Sequence, residues 1–372
     1  MKFKFLKVTA LLMLGGYITS CKKDNGNDTP REYVVPASYN FENASFEETS
    51  QAVNMLIGFQ TYLSKATSRE LSQDTVNYLW NNTNDAFKAD YVSNLAYSPD
   101  QLNSFSGVKL SGLTKNAETF KKYADSMVTI STYRNDVAEQ GKPGKVNNTT
   151  RLVNYSGLEF NQLVAKGLMG ALQLDKVFEN LDKTASADNN TNVSGKNYTA
   201  MQHAWDLAFG YVGIPKDYDS SKAYANTETS RPLAVGGYFR ERARPIGAGG
   251  AVFGAFLKGR AAIDNKDYSA RDAAITTIKE YLEKTLAVSA YAYLNLSKTR
   301  SDDAARFHDY SEAYGFTIAL GYRAANSKLT TADYQKLVDI LKMDYWELKK
   351  TENATKVDEA INVLKTTYGF DF

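Results

Sequence analysis

The sequence predicts an all-α fold of two related helical bundles joined by long loops. Three observations predict it. Apolar side chains recur at spacings of three and four along most of the chain, and strictly alternating runs never exceed about five residues. Two histidine-bearing segments also repeat one another.

The first element is a leader. Lys2, Lys4 and Lys7 precede an apolar run from Val8 to Ile18, and small residues lead into Cys21. The run falls short of the roughly 20 apolar residues that span a bilayer, so a cleaved secretory signal over residues 1–20 is expected. Ile18-Thr19-Ser20-Cys21 resembles the bacterial lipobox, and Cys21 is the single cysteine of the chain. Lipidation of Cys21 is therefore expected, and two or more acyl chains would hold the protein at a membrane almost permanently. Residues 21–35 are polar until Val34 and read as a flexible tether. Lys22-Lys23-Asp24 loosely resembles the charged surface-export signals of some Gram-negative lipoproteins. The expected location is the cell envelope, lipid-anchored at the outer membrane, with the face unassigned.

Composition narrows the partners. The chain carries 44 Lys and Arg against 42 Asp and Glu, and the leader holds three of those lysines. The mature chain is thus near neutral, which excludes nucleic acid and anionic lipid surfaces as electrostatic partners. With Cys21 lipidated, neither an internal disulfide nor a cysteine metal site is available. Aromatics at 12% suit a large core or a sugar-like ligand surface equally.

The domain spans 36–372, with possible halves of about 36–190 and 191–372. Ala52, Met55, Leu56, Phe59 and Leu63 form the stripe of an amphipathic helix. Weaker helical patterns cover 75–87 and 117–137, and Gly, Pro and Asn punctuate 139–150. A long helix is predicted over 157–181, where Gly167 and Gly170 each cost about 1 kcal/mol against Ala and imply a close helix–helix approach. Residues 185–198 form a polar loop. Further helices are predicted at 199–212, 251–263, 269–296, 303–324, 331–341 and 357–367. Residues 231–250 read as a long structureless stretch, and loops of that length are usually functional or mobile.

The two histidines carry the chemistry. His203-Ala-Trp-Asp-Leu-Ala-Phe-Gly210 aligns with His308-Asp-Tyr-Ser-Glu-Ala-Tyr-Gly315, matching Trp205 with Tyr310, Ala208 with Ala313, Phe209 with Tyr314 and Gly210 with Gly315. Thr199 and Gln202 fit a capping box before the first helix. Helical spacing puts Asp206 beside His203 and Glu312 beside His308. A histidine and a carboxylate on one face suit a divalent ion or iron, an acid–base pair, or a buried pair that fixes helix register. Glu159 shares a stripe with Leu163 and Lys166; it is either a third carboxylate for the same site or an acid paired with Lys166. Arg240, Arg242 and Arg244 crowd the long loop, where they grip an anion bidentately or stand solvated against carboxylates. A Walker-type phosphate loop, a His-Glu-x-x-His motif and a Gly-x-Ser-x-Gly elbow are all absent from the sequence.

Several blocks together carry a resemblance: 203–215, 256–263 and 308–315, with Asn40-Phe-Glu-Asn43 and Gly167-Leu-Met-Gly-Ala-Leu172. They resemble a family of envelope lipoproteins of Gram-negative bacteria which in turn looks like the imelysin group. That resemblance implies paired helical bundles marked by a Gly-x-His-x-x-Glu motif. Its histidine falls on His203 and its acid on Asp206, while Met201 replaces the glycine. Imelysin-like proteins are associated with iron uptake, some relatives bind metal ions or acidic polysaccharide, and the group carries a peptidase label.

The expected function is therefore non-enzymatic: a lipoprotein binding a ligand, iron or another divalent metal, between bundles near His203 and His308. An importer or receptor would be its partner in nutrient uptake. The alternatives are a glycan-binding accessory protein of an importer and a metal-dependent peptidase with His203 and Asp206 as ligands.

Overall fold

Local chemistry sets where the helices begin. The structure, a computed structural model, describes residues 32–372. The leader, Cys21 and most of the tether lie outside the described residues. Side-chain caps open several of the helices: Ser72 accepts from the Thr75 N–H before α2 (Gln73–Asn81), and Ser98 and Gln101 form a capping box before α4 (Pro99–Ser104). Thr199 and Gln202 form the expected box before α9 (Ala200–Val212). Asp267 and Asp302 cap α12 (Tyr268–Thr299) and α13 (Asp303–Ala319).

The fold is all-α. The remaining helices are α1 (Glu47–Ser64), α3 (Ala89–Val92), α5 (Leu110–Leu113), α6 (Ala117–Ser131), α7 (Phe160–Leu168) and α8 (Asp175–Lys183). After α9 come α10 (Val235–Glu241), α11 (Ala248–Asp264), α14 (Thr331–Leu341), α15 (Tyr345–Leu348) and α16 (Ala354–Tyr368). The sheet is a two-residue antiparallel pair, β1 (Gly144–Lys145), inside the stretch read as punctuation, with β2 (Leu152–Val153), just past it. None of the described helices is long and apolar enough to cross a membrane.

The predicted stripe of α1 is buried throughout. The predicted 157–181 helix is continuous but changes pitch: α7 passes into a π-helical segment, Met169–Leu174, and then into α8. All six side chains of that segment are buried. A Cβ on Gly170 would lie 2.3 Å from the Ala319 carbonyl oxygen, and one on Gly167 would lie 2.5 Å from the Phe120 ring, so glycine is required for the helices to close. Within the segment, the Gln173 amide donates to the Tyr211 carbonyl and accepts from the Val235 N–H, tying α9 to α10.

Residues 231–250 are not structureless, contrary to the sequence expectation. They hold α10, a 3₁₀ turn at Arg244–Ile246 and the start of α11. Gly236 and Gly237 depress helix propensity there. Packing overrides it, because Tyr238 and Phe239 are buried and a Cβ on Gly236 would meet the Gly213 carbonyl at 2.8 Å.

Residues Tyr33–Phe372 form one compact unit. Helices from either side of residue 190 pack together, α1 on α9 and α7 on α13. The aligned glycines of the two histidine helices do the same job in each pair. A Cβ on Gly210 would meet Thr49 of α1, and one on Gly315 would meet Lys166 of α7 at 2.7 Å.

A buried ion pair anchors the amino-terminal segment. Asp206 and Arg260 are both fully buried and 2.9 Å apart. The Asp206 carboxylate also accepts from the Tyr39 hydroxyl at 2.7 Å and the Ser45 N–H at 3.1 Å. Arg260 further donates to Asp264 and to Asn43. Tyr39 stacks on Phe209 with centroids 3.7 Å apart. Burial pushes the Asp206 carboxyl above its ordinary range, against the pull of Arg260, so the pair fixes position more than it adds stability. Asp206→Ala, which removes the fully buried partner of Arg260, should cost about 3–5 kcal/mol in urea unfolding, whereas Asp206→Leu with Arg260→Met should cost clearly less.

Candidate functional site

The site grows from the seam between α7 and α13. The Ser311 hydroxyl donates to the Phe307 carbonyl and accepts the Glu159 N–H at 3.0 Å, pinning the start of α7 to α13. Glu159, at the N-cap of α7, then reaches His308 one turn away: Oε2 lies 3.3 Å from Nδ1. On the other edge of the ring, Nε2 lies 3.2 Å from Oε1 of Glu312, at the favourable i, i+4 spacing. The charges alternate beyond this trio. Lys166 Nζ is 3.5 Å from Glu312, Arg151 is 3.9 Å from Glu159, and the Tyr238 hydroxyl donates to Glu312 at 3.3 Å.

Glu159 is 2% exposed and Glu312 5%, so the balance of desolvation and partners decides the charge states. Burial pulls the His308 pKa down, but Glu159 and Glu312 outweigh it and hold it up at about 9. Burial pushes Glu312 up, while Lys166 and then His308 draw it down to about 2. The resting imidazole is thus a cation donating from both nitrogens. Burial and the charge of Glu312 push the Tyr238 hydroxyl well above its ordinary pKa, so it remains a donor.

One oxygen of this cluster faces no donor. Glu159 Oε1 is buried without a hydrogen bond. Glu159 also lines a pocket of about 200 Å³, together with Ser64, Thr150, Arg151, Asn161 and Gln162. His308 therefore lies behind Glu159, one carboxylate away from that pocket.

The first histidine is built differently, and the expected His203–Asp206 pair does not form. Asp206 points inward to Arg260, Tyr39 and Ser45, whereas His203 stacks on Tyr198 with centroids 4.5 Å apart and its buried Nδ1 lacks a partner. The repeat itself explains the difference. Asp206 aligns with Ser311, and the position matching Glu312 is Leu207, so the first helix has no acid at i+4. His203 and His308 have no partner in common. Glu159 joins the His308 site as the sequence allowed; Lys166 pairs with Glu312 instead of Glu159.

The three loop arginines do not converge. Arg240 and Arg244 are exposed, while Arg242 lies 4.4 Å above the Tyr293 ring and pairs with Glu241. Sequence reasoning missed Arg151, Ser311 and Tyr238. Ser311 carried a usable signal, one turn from His308; Tyr238 lay in the stretch read as structureless, and Arg151 lay between the punctuation at 139–150 and the helix predicted from 157.

Among the described residues, no group of three or more His, Cys, Asp or Glu side chains is arranged to hold a metal ion. The carried-over motif does not fit one at His203, because Asp206 is already spent. At His308 the groups that face one another are Nδ1 and Oε2 of Glu159, with Oε1 of Glu159 left without a partner.

The raised His308 pKa has a stability consequence with a definite sign. A folded value of about 9 against an ordinary 6.5 contributes stability that is complete below pH 6.5 and is lost as pH rises through 9. His308→Gln should therefore destabilise the protein by up to about 3 kcal/mol near pH 6, and markedly less near pH 9.5. Urea unfolding at both pH values checks it.

Residues 36–371 match a family described as a domain of unknown function, DUF4856. No curated protein and no solved structure matches the chain. The match covers nearly the whole sequence, and the chain belongs to the DUF4856 family.

Proposed function

We propose that this chain is a non-enzymatic lipoprotein of the cell envelope, imelysin-like in descent, that binds a small ligand at Glu159, His308 and Glu312. The observation that carries this reading is the Glu159 carboxylate. It is almost wholly buried and lines a pocket; one oxygen holds His308 and the other meets no donor. An unmet buried acceptor costs about 1–3 kcal/mol, which an incoming cation or donor recovers.

The ligand class is a divalent or ferric cation, carried as cargo and not as a catalyst. Glu159 and Nδ1 of His308 would hold it. Glu312 on Nε2 would orient the ring as the outer carboxylate of a metal-bound histidine does. Nδ1 must give up its proton first, so affinity rises with pH below about 9. The lipid on Cys21 would keep the protein at the outer membrane, where an importer or receptor takes the ion onward.

The other readings have less behind them. A glycan-binding accessory role would use the arginine loop to hold acidic sugars, and its three guanidinium groups do not meet. A metal-dependent peptidase needs Asp206 as a ligand, and that carboxylate is committed to Arg260.

Calorimetry with ferrous, ferric, manganous and zinc salts at pH 8 tests the proposal. One of these ions should bind the unaltered protein; Glu159→Gln and His308→Gln should each weaken it by about 10–100-fold, and His203→Ala should leave it unchanged. Absence of binding by every ion, or an equal loss on His203→Ala, contradicts it.

A further inference from the structure

A second pocket, of about 260 Å³, lies where the loop after α9 folds over the first half of α1 and the segment joining α3 to α4. Its walls are largely apolar, with Phe46, Tyr97, Ile214 and Pro215 among them, and its charged lining residues are Lys216 and Arg231. The lining includes no acid. Glu228, the nearest acid in sequence to Arg231, is spent on Lys222 at 2.7 Å and on the Ala225 N–H. Glu47, whose charge reaches the Tyr97 phenol, lies outside the lining.

The Arg231 guanidinium is half used. Its Nη1 donates to the carbonyls of Asn94 and Glu228. Nε and Nη2 donate to no group among the described residues. Those two nitrogens form one edge of the guanidinium, the fork that takes a carboxylate through two parallel hydrogen bonds. The carbonyl contacts fix that fork in place before a ligand arrives, which lowers the entropy cost of binding. Partial burial makes the unpaired charge costly and holds the pKa of Arg231 below its ordinary value. Lys216 lies 5.6 Å from the Phe46 ring and forms no ion pair among the described residues, leaving a second cation at the same mouth.

We infer that this pocket binds a small organic carboxylate with an apolar body, its carboxylate on the Nε/Nη2 edge of Arg231 and its body against Tyr97, Ile214 and Pro215. The site is independent of His308. Lys216 adds long-range attraction for the anion, and the apolar walls set the ligand apart from inorganic anions, which offer nothing to bury.

Ligand-observed NMR on the purified full chain tests the inference, with para-fluorobenzoate and hexanoate as probes and the matching amides and inorganic phosphate as controls. Either carboxylate should bind at least about tenfold more tightly than its amide, since a charge-assisted pair contributes about 1.5–3 kcal/mol, and more tightly than phosphate. Arg231→Gln should cost about tenfold or more, with Arg231→Lys recovering part of the loss. Ala96→Trp fills the pocket from an exposed position without removing a charge, and should abolish binding while thermal unfolding stays cooperative. His308→Gln should have no effect. Absence of binding by both carboxylates, equal binding by the amides or by phosphate, or full binding by either the Gln or the Trp variant overturns the inference.

Discussion

The seam between α7 and α13 depends on one interaction, the imidazole of His308 held between two buried carboxylates. Neither acid would be tolerated at 2% and 5% exposure without a cation beside it. Lys166 and Arg151 extend the same logic outward, so that each buried negative charge has a positive neighbour. Gly315 lets the helices approach closely enough for these contacts, and Ser311 sets the register by holding the Glu159 N–H. Remove the imidazolium and two carboxylates would face each other across a low-dielectric gap.

The other histidine helix meets the same packing problem with different chemistry. There the buried anion is Asp206 and its counter-charge is Arg260, a permanent cation that cannot be titrated away. That cluster locks Tyr39, Asn43 and Ser45 onto α9 and α11, and both Asp206 oxygens accept from groups of the chain itself. The His308 cluster instead uses a group that can lose its proton, beside a pocket, with one acceptor oxygen unmet. Of two related helices, one is built to stay closed and the other keeps a chemical option open.

Much of the fold was legible because burial imposes periodicity. The stripe of α1, the capping box at Thr199 and the glycines at 167 and 170 each announced a contact that the structure contains. The helix at 235–241 was hidden by its two glycines, and at Gly236 the Gly213 carbonyl leaves no space for a side chain. Propensity is a local quantity, and that helix is held by distant partners. The candidate site was half legible for the same reason. His308 with Glu312 followed from i, i+4 spacing, whereas Asp206 at i+3 turned to an arginine 54 residues away that no local pattern could pair with it. Helical spacing offered Lys166 only Glu159, and tertiary packing gave it Glu312 instead.

The α7–α13 seam rests on the charge of one imidazole. With only two histidines in the chain, carbon and proton NMR of the ring signals, assigned with a His203→Gln variant, follows His308 directly. Held between Glu159 and Glu312, it should titrate with a midpoint near 9. A midpoint at or below the ordinary 6.5 would mean that the two carboxylates do not hold the proton, and would contradict the account.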